Sequence, residues 1–159
     1  MTISEDDQAG DNAGSAVLQL GELTQLLGYP LKRAQLRVSE DFLRSVSGLG
    51  LTPAQFSVLL LVDRNPGRNQ TEIATTLGIL RPNFVALMDV LEARDLCRRE
   101  RSAQDRRSHV LALTENGQAT LARAKKIVIG KHEARLIKLL GKDNHAALLG
   151  MLAKITEEF

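Results

Sequence analysis

Apolar side chains recur at helical spacing in both terminal regions of the chain. Six aliphatic residues between Ser15 and Leu27 follow this spacing and predict a first helix. A second helix is predicted from Pro30 to the glycine turn at Gly48, because the fixed φ of proline suits a first helical turn. The C-terminal pattern predicts a long helix over 114–140 and a last helix over the remaining residues.

The middle of the chain carries two helix-start signals of the same kind. Thr52 is a capping residue with Gln55 three positions later, and a proline stands between them at the first helical position. Asn69 and Glu72 repeat the same spacing, and Gly78 follows the short apolar pattern after them. The first of these helices is predicted to run to about residue 64 and the second to end at Gly78.

A further helix and a hairpin complete the central region. The helix is predicted from Arg81 to about Asp95, where aspartate tolerates the left-handed conformation of a helix end. Residues 96–101 and 108–113 are short β-forming stretches separated by a polar segment with two arginines, which predicts a β-hairpin with a basic tip. The chain is therefore predicted to be mainly α-helical with one small hairpin.

The order of helix, short helix, tight turn, helix and basic hairpin is that of a winged helix-turn-helix unit. The helix after the turn must bury an apolar face made by Phe84, Leu87, Met88 and Leu91. The side chains that remain outward at its exposed start are the candidates for base contact in the DNA major groove: Arg81, Pro82, Asn83, Val85 and Ala86.

Three segments carry a resemblance to a known family. They are Leu51-Thr52-Pro53-Ala54-Gln55-Phe56, then Leu87-Met88-Asp89-Val90-Leu91-Glu92-Ala93-Arg94-Asp95-Leu96, then Asp105-Arg106-Arg107 with Leu113-Thr114-Glu115-Asn116-Gly117. Together they resemble the MarR family of transcription regulators. The resemblance implies a homodimeric repressor or activator with a small-molecule pocket between its dimerisation helices and its DNA-binding lobes. It also implies that Asp105 orients Arg107 toward the minor groove. Leu80 departs from the family, which usually has a capping residue there.

Charge is unevenly distributed along the chain. The net charge is +2, yet the first 14 residues hold four acidic side chains and no Lys or Arg. Six arginines lie between positions 94 and 107, against three acidic residues. This basic concentration on a hairpin after two helices favours DNA binding over a merely solvated surface. The hairpin residues expected to contact DNA are Arg99, Arg101, Arg106 and Arg107.

These observations divide the chain into four parts. Residues 1–14 are an acidic tail with too little apolar surface to order, and residues 15–50 are helices for dimerisation and the pocket. Residues 51–113 form the DNA-binding lobe, and residues 114–159 form further dimerisation helices. The expected partners are a second copy of the chain and double-stranded DNA with an inverted repeat. A cytoplasmic location is expected, with no cofactor and no membrane association.

The expected effector is a small organic anion, such as an aromatic acid or its coenzyme A thioester. The region around Tyr29 resembles the first helix of family members that control aromatic-acid catabolism. Tyr29 offers an aromatic face, while Lys32, Arg33 and Arg37 offer donors for a carboxylate or phosphate. The two arginines can equally pair with Asp41 and Glu40 at helical spacing.

Several alternatives stay open from the sequence. Cys97 is the only cysteine, and it is either an oxidant sensor or a small buried strand residue. His109, His132 and His145 lack the spacing of zinc ligands, and no catalytic motif is visible, so an enzyme is not expected. The competing functions are a redox-sensing repressor, a ligand-blind architectural DNA-binding protein and a helical protein-interaction module.

Overall fold

The computed structural model describes residues 18–101 and 109–158. The described residues fall into two compact units, one up to Gln35 and one from Leu36 onward. The predicted helix over 15–27 is wrong in its described part, where the chain forms only a short 3-10 segment, Gly21–Gln25. The described leucines of this segment are exposed. The segment is not a continuous helix because Gly21 has a φ of +52° and Leu26 is extended, and neither conformation continues a helix.

The remaining elements follow the predicted order. The helices and strands are α1 Gly28–Ser45, α2 Pro53–Arg64, α3 Gln70–Thr76, α4 Arg81–Ala93, β1 Cys97–Arg101, β2 His109–Leu113, α5 Glu115–Ile127, α6 Ala134–Leu140 and α7 Lys142–Glu158. The strands are antiparallel, with Arg99 opposite Leu111. A π-helical segment, Val128–Glu133, joins α5 to α6, so the predicted long helix is confirmed with one wider turn inside it.

Both predicted capping boxes are present. The backbone N–H of Gln55 donates to Thr52 Oγ1 at 3.2 Å, and the Thr52 N–H donates to Gln55 Oε1 at 3.0 Å. Asn69 and Glu72 exchange the equivalent bonds at 3.0 and 2.8 Å. Each box satisfies two backbone donors that a helix start would otherwise leave without partners, so α2 and α3 begin where the sequence predicts.

The core is built mainly from α2, α4, α5 and the hairpin, with further buried side chains from α1 and α3. Phe84, Met88 and Leu91 of α4 are 0% exposed, as are Val58 and Leu59 of α2. The other fully buried side chains from these elements include Leu111, Leu121 and Ala124. Since each buried side chain of this size stabilises the fold by about 1.5–3 kcal/mol, this set fixes α4 against the hairpin and α2.

The described residues contain no single helix long and apolar enough to span a membrane. The pair α3 and α4 reaches that length and apolarity only together, with a bend of 113° between the two helices. Their apolar side chains Ile73, Phe84 and Met88 lie in the core.

A polar cluster joins α1 to the π-helical segment and α6 within the second unit. Asp41 Oδ2 accepts a hydrogen bond from Arg135 Nη2 at 2.8 Å and lies 2.8 Å from Nδ1 of His132, which is buried. The Arg135 guanidinium, together with His132 and Arg44, lowers the pKa of Asp41 to about 2. The rings of His132 and Phe42 pack almost perpendicular to each other, with centroids 5.6 Å apart.

The start of α5 is packed against the chain that leaves α4. Thr114 Oγ1 accepts from the N–H of Gly117 at 2.9 Å and donates to the carbonyl of Asp95 at 2.6 Å. Asp95 itself has a φ of +51°, as its position at a helix end predicts. A Cβ atom on Gly117 would lie 1.8 Å from the Leu96 carbonyl oxygen, so only glycine fits there.

We expect Gly117→Ala to destabilise the protein by about 3 kcal/mol or more, because two backbone segments must separate to admit one methyl group. That change lowers the melting temperature by roughly 6–12 °C for a chain of this size. Thermal unfolding followed by circular dichroism measures it. The control is Gly48→Ala, where the new methyl group meets no atom within 4 Å. Equal melting temperatures for the two variants would contradict this account of the α5 start.

We expect Asp41→Asn to lower the free energy of unfolding in a pH-dependent manner. The folded-state pKa of about 2 lies below the ordinary value of 3.8, so the charged carboxylate stabilises the fold fully above about pH 4. That stabilisation is lost as the pH falls toward 2. Urea unfolding of parent and variant between pH 5 and 2 should show a difference that shrinks on acidification. Glu157→Gln, at the exposed end of α7, serves as the control, and a pH-independent difference for Asp41→Asn would be inconsistent with this assignment.

Candidate nucleic-acid interface

The helices α3 and α4 form a helix-turn-helix. They are bent by 113° at a short break, within the range of about 90–120° that is typical of this motif. Gly78 in the break has a φ of +62°, a left-handed conformation that glycine adopts without strain. The position after α3 therefore requires the glycine that the sequence provides.

The orientation of α4 is fixed by its buried face. Phe84, Met88 and Leu91 occupy the core, and the opposite face at the helix start is open. The five side chains that the sequence analysis proposes for base contact are all exposed: Arg81, Pro82, Asn83, Val85 and Ala86. The structure thus brings this set together on one accessible surface, while their contact with DNA stays a prediction.

The chemistry of this surface suits the major groove. An arginine can donate two hydrogen bonds to guanine, an asparagine can pair with adenine, and a small apolar side chain can touch the methyl group of thymine. Leu80 precedes α4 with an apolar side chain that cannot cap it. The first-turn N–H groups of α4 are therefore left for water or a DNA phosphate, which helix N-termini bind well.

The hairpin arginines differ from one another in environment. Arg101 is exposed at the end of β1, as a DNA contact requires. Arg98 is exposed and pairs with Glu100 on its own strand. Asp105, Arg106 and Arg107, which the sequence analysis assigns to the wing tip, lie outside the described residues, so their roles stay predictions.

Arg99 is engaged inside the lobe. Its Nη2 donates to Asp89 Oδ1 at 2.9 Å and its Nε to Gln70 Oε1 at 3.1 Å, while Nη1 contacts Glu92. The backbone N–H of Arg99 also donates to Glu92 Oε1 at 2.8 Å. Arg99 is one of the residues predicted to contact DNA, and that contact stays a prediction. The network was missed because its members are up to 29 residues apart, although the spacing of Asp89 and Glu92 on one helix face offers a signal.

The candidate effector residues lie on α1. Tyr29 is half-buried, and Lys32 and Arg33 are exposed. Arg37 pairs with Glu40 at 2.9 Å, which is one of the helical pairings that the sequence allowed. Asp41, the other potential partner, instead contacts the Arg135 cluster.

Cys97 has the environment of a packed strand residue. Its side chain is 1% exposed, and burial raises the pKa of its thiol to about 11. Because the thiolate is the form that reacts with oxidants, almost none of this cysteine is reactive at neutral pH. These observations favour a structural role for Cys97 over oxidant sensing.

The three histidines lie in separate places. His109 is exposed on β2, His132 contacts Asp41, and His145 Nε2 lies 3.2 Å from Glu133 Oε2. Among the residues that the structure describes, no group of three or more His, Cys, Asp and Glu side chains is placed to hold a metal ion.

Comparison with known proteins identifies the family. Residues 49–108, which include the helices and strand from α2 to β1, match the sequence profile of the MarR family. The solved structure of the transcriptional repressor CouR bound to a 23-mer DNA duplex is 70% identical, with 89% of this chain and 99% of that one covered and a TM-score of 0.83. The chain belongs to the MarR family. The predicted family resemblance and fold class are thus confirmed.

Two further relatives bear on the role of this MarR regulator. The structure of CouR bound to p-coumaroyl-CoA is 68% identical, covers 90% of this chain and 100% of that one, and has a TM-score of 0.85. A putative transcriptional regulatory protein for the hcr operon of Thauera aromatica is 28% identical over 91% of this chain and 87% of its own length. The chain is a DNA-binding transcription regulator, and MarR regulators act as dimers on operator DNA.

We expect Asn83→Ala to relax base preference while keeping most of the overall DNA affinity, because a major-groove amide contributes discrimination. The loss should be about 1–3 kcal/mol of preference at one base pair in each half-site. Competition binding against single-base variants of the operator measures it. By contrast, Arg107→Ala should weaken binding to every sequence and reduce the salt dependence. An unchanged base preference for Asn83→Ala would show that Asn83 does not contact the bases.

Proposed function

We propose that this chain is a repressor released from an inverted-repeat operator by an aromatic acyl-CoA thioester, with p-coumaroyl-CoA as the first compound to test. The observation that carries the proposal is the 68% identity, over nearly the whole chain, to a repressor solved with p-coumaroyl-CoA. An aromatic acid or its thioester is also what the resemblance of the region around Tyr29 to regulators of aromatic-acid catabolism implies, and the chemistry of α1 suits such a ligand. The cytoplasm, which contains both CoA thioesters and DNA, is the expected location.

The candidate residues have suitable chemistry for such a ligand. Tyr29 provides an aromatic face, and Lys32 and Arg33 are exposed cations for carboxylate or phosphate groups. The Arg37–Glu40 pair has side chains that are 72% and 50% exposed, and such a surface pair contributes little. Arg37 can therefore exchange Glu40 for a phosphate at small cost.

The proposed dimer uses the terminal helices. Several large apolar side chains on and near the last two helices are exposed: Ile129, Leu139, Leu148, Leu149 and Met151. Exposed large apolar side chains in this number favour an association face on these helices. A two-fold dimer would read half-sites centred about one helical turn, roughly 10 base pairs, apart.

Release from DNA requires only modest coupling between ligand and operator. A tenfold loss of operator affinity corresponds to about 1.4 kcal/mol, and the ligand must bind the DNA-free conformation more tightly by that amount. A small change in the separation of the two copies of α4 is enough to weaken operator binding by this amount, because both half-sites must be bound at once.

We expect p-coumaroyl-CoA to bind the dimer and to release a fluorescent operator duplex, as measured by calorimetry and anisotropy. Free p-coumaric acid, free CoA and acetyl-CoA are the matched compounds that separate the aromatic and CoA contributions. Arg33→Ala with Arg37→Ala should weaken thioester binding at least tenfold, since each lost charge-assisted bond contributes about 1.5–3 kcal/mol. Arg64→Ala, at the exposed end of α2, is the control variant.

Two outcomes would contradict the proposal. If operator binding is unaffected by every thioester, the chain is a ligand-blind DNA-binding protein. If peroxide releases the operator from the parent but not from Cys97→Ser, the redox-sensing alternative replaces the proposal.

A further inference from the structure

The contacts of Arg99 combine three structural elements at the DNA-facing lobe. Arg99 lies in the middle of β1, opposite Leu111 of β2, and its side chain is 26% exposed. Its guanidinium contacts Asp89 and Glu92 of α4 and Gln70 at the start of α3. Every N atom of the guanidinium is therefore used inside the lobe, each with a different side chain.

The backbone strengthens this connection. Glu92 Oε1 accepts the N–H of Arg99 at 2.8 Å, so the carboxylate holds both the side chain and the main chain of the strand. A carboxylate that takes two bonds from one residue fixes the position of that strand more tightly than a single surface ion pair does. The wing strand is thus attached to the helix-turn-helix at the centre of β1.

The charges of the network have a second consequence. Asp89 is 60% exposed on α4, and Glu92 lies near the C-terminal end of the same helix. A carboxylate near a helix C-terminus destabilises the helix because it lies at the negative end of the helix dipole. An exposed carboxylate near DNA repels the phosphates. Arg99 offsets both carboxylates from within the protein.

We propose that Arg99 is a positioning residue for DNA binding. It fixes the wing strand relative to α3 and α4 and offsets the charge of Asp89 and Glu92, and it does not itself bind phosphate. The recognition helix and the wing must engage neighbouring grooves together, so their relative placement contributes to the affinity of the whole lobe. This inference rests on the DNA binding of the MarR chain and is independent of the effector.

The sharpest test is the sign of the effect of Glu92→Ala. Removal of an acidic side chain from a DNA-binding surface should raise DNA affinity by charge alone. A positioning role for the network has the opposite consequence, because the loss of Glu92 releases both bonds to Arg99. We expect Glu92→Ala and Arg99→Gln each to weaken DNA binding about tenfold. The matched controls are Glu100→Ala and Arg98→Gln, which make the same charge changes on the exposed pair of the same strand.

The DNA probe is a duplex that the parent protein selects from a random 23-base-pair pool, the length bound by its 70% identical relative. Affinity is measured by anisotropy at several salt concentrations, well below the melting temperature of each variant. We expect Arg99→Gln with Glu92→Ala to lose less than about thirtyfold, since both changes break one network. Hydroxyl-radical footprints should show weaker protection at the flanking minor grooves, with major-groove protection retained.

Three results would overturn the proposal. The first is a Glu92→Ala variant that binds as tightly as the parent or more tightly, like Glu100→Ala. The second is a double variant that loses about a hundredfold, the product of two independent tenfold effects. The third is a fall of about 0.9 in the salt slope of Arg99→Gln, the value for one lost phosphate contact, that Glu92→Ala does not share. If Arg99→Gln does not fold, Glu92→Ala alone decides by its sign. Failure of the parent to bind any duplex would instead contradict DNA binding by this chain.

Discussion

The burial of one face of α4 is the constraint on which the DNA-binding lobe depends. Phe84, Met88 and Leu91 have no exposed surface, and each would cost about 1.5–3 kcal/mol if the helix turned it toward solvent. A rotation of α4 by a single residue is therefore excluded by the core. The same packing that stabilises the lobe decides that Arg81 and Asn83 face outward, so the predicted base contacts depend on the contacts that also stabilise the lobe.

The local signals of the sequence were enough for most of the fold. The capping boxes at Thr52 and Asn69, the glycine at position 78 and the hairpin were predicted because their partners lie within a few residues. The prediction of a helix over 15–27 is wrong in its described part because Gly21 has a left-handed conformation inside that segment. Hydrophobic periodicity alone does not show that a turn interrupts it.

The candidate site was only partly predictable, because a residue's charge in the sequence does not show where its side chain is used. Arg94 donates to the carbonyls of Leu49 and Gly50 at 2.7 Å, and Arg99 contacts two carboxylates on α4. Two of the six central arginines are thus engaged within the protein. Their partners are 7–45 residues away, a separation that helical or strand spacing cannot reveal. The number of arginines in the sequence therefore does not show how many of their guanidinium groups are hydrogen-bonded within the protein.

The ion pairs of α1 differ in strength along the helix, because the Asp41 side chain is partly buried and the Arg37–Glu40 pair is exposed. The wider π-helical turn carries His132, which is buried and contacts Asp41, and Arg135 holds the same carboxylate from the next helix. This cluster keeps the C-terminal part of α1 attached to the long helix at neutral pH, since the pKa of Asp41 is lowered to about 2. The exposed Arg37–Glu40 pair, one turn earlier, is weak by comparison. Loss of the Arg37–Glu40 contact should therefore cost the fold much less free energy than loss of the contacts of Asp41.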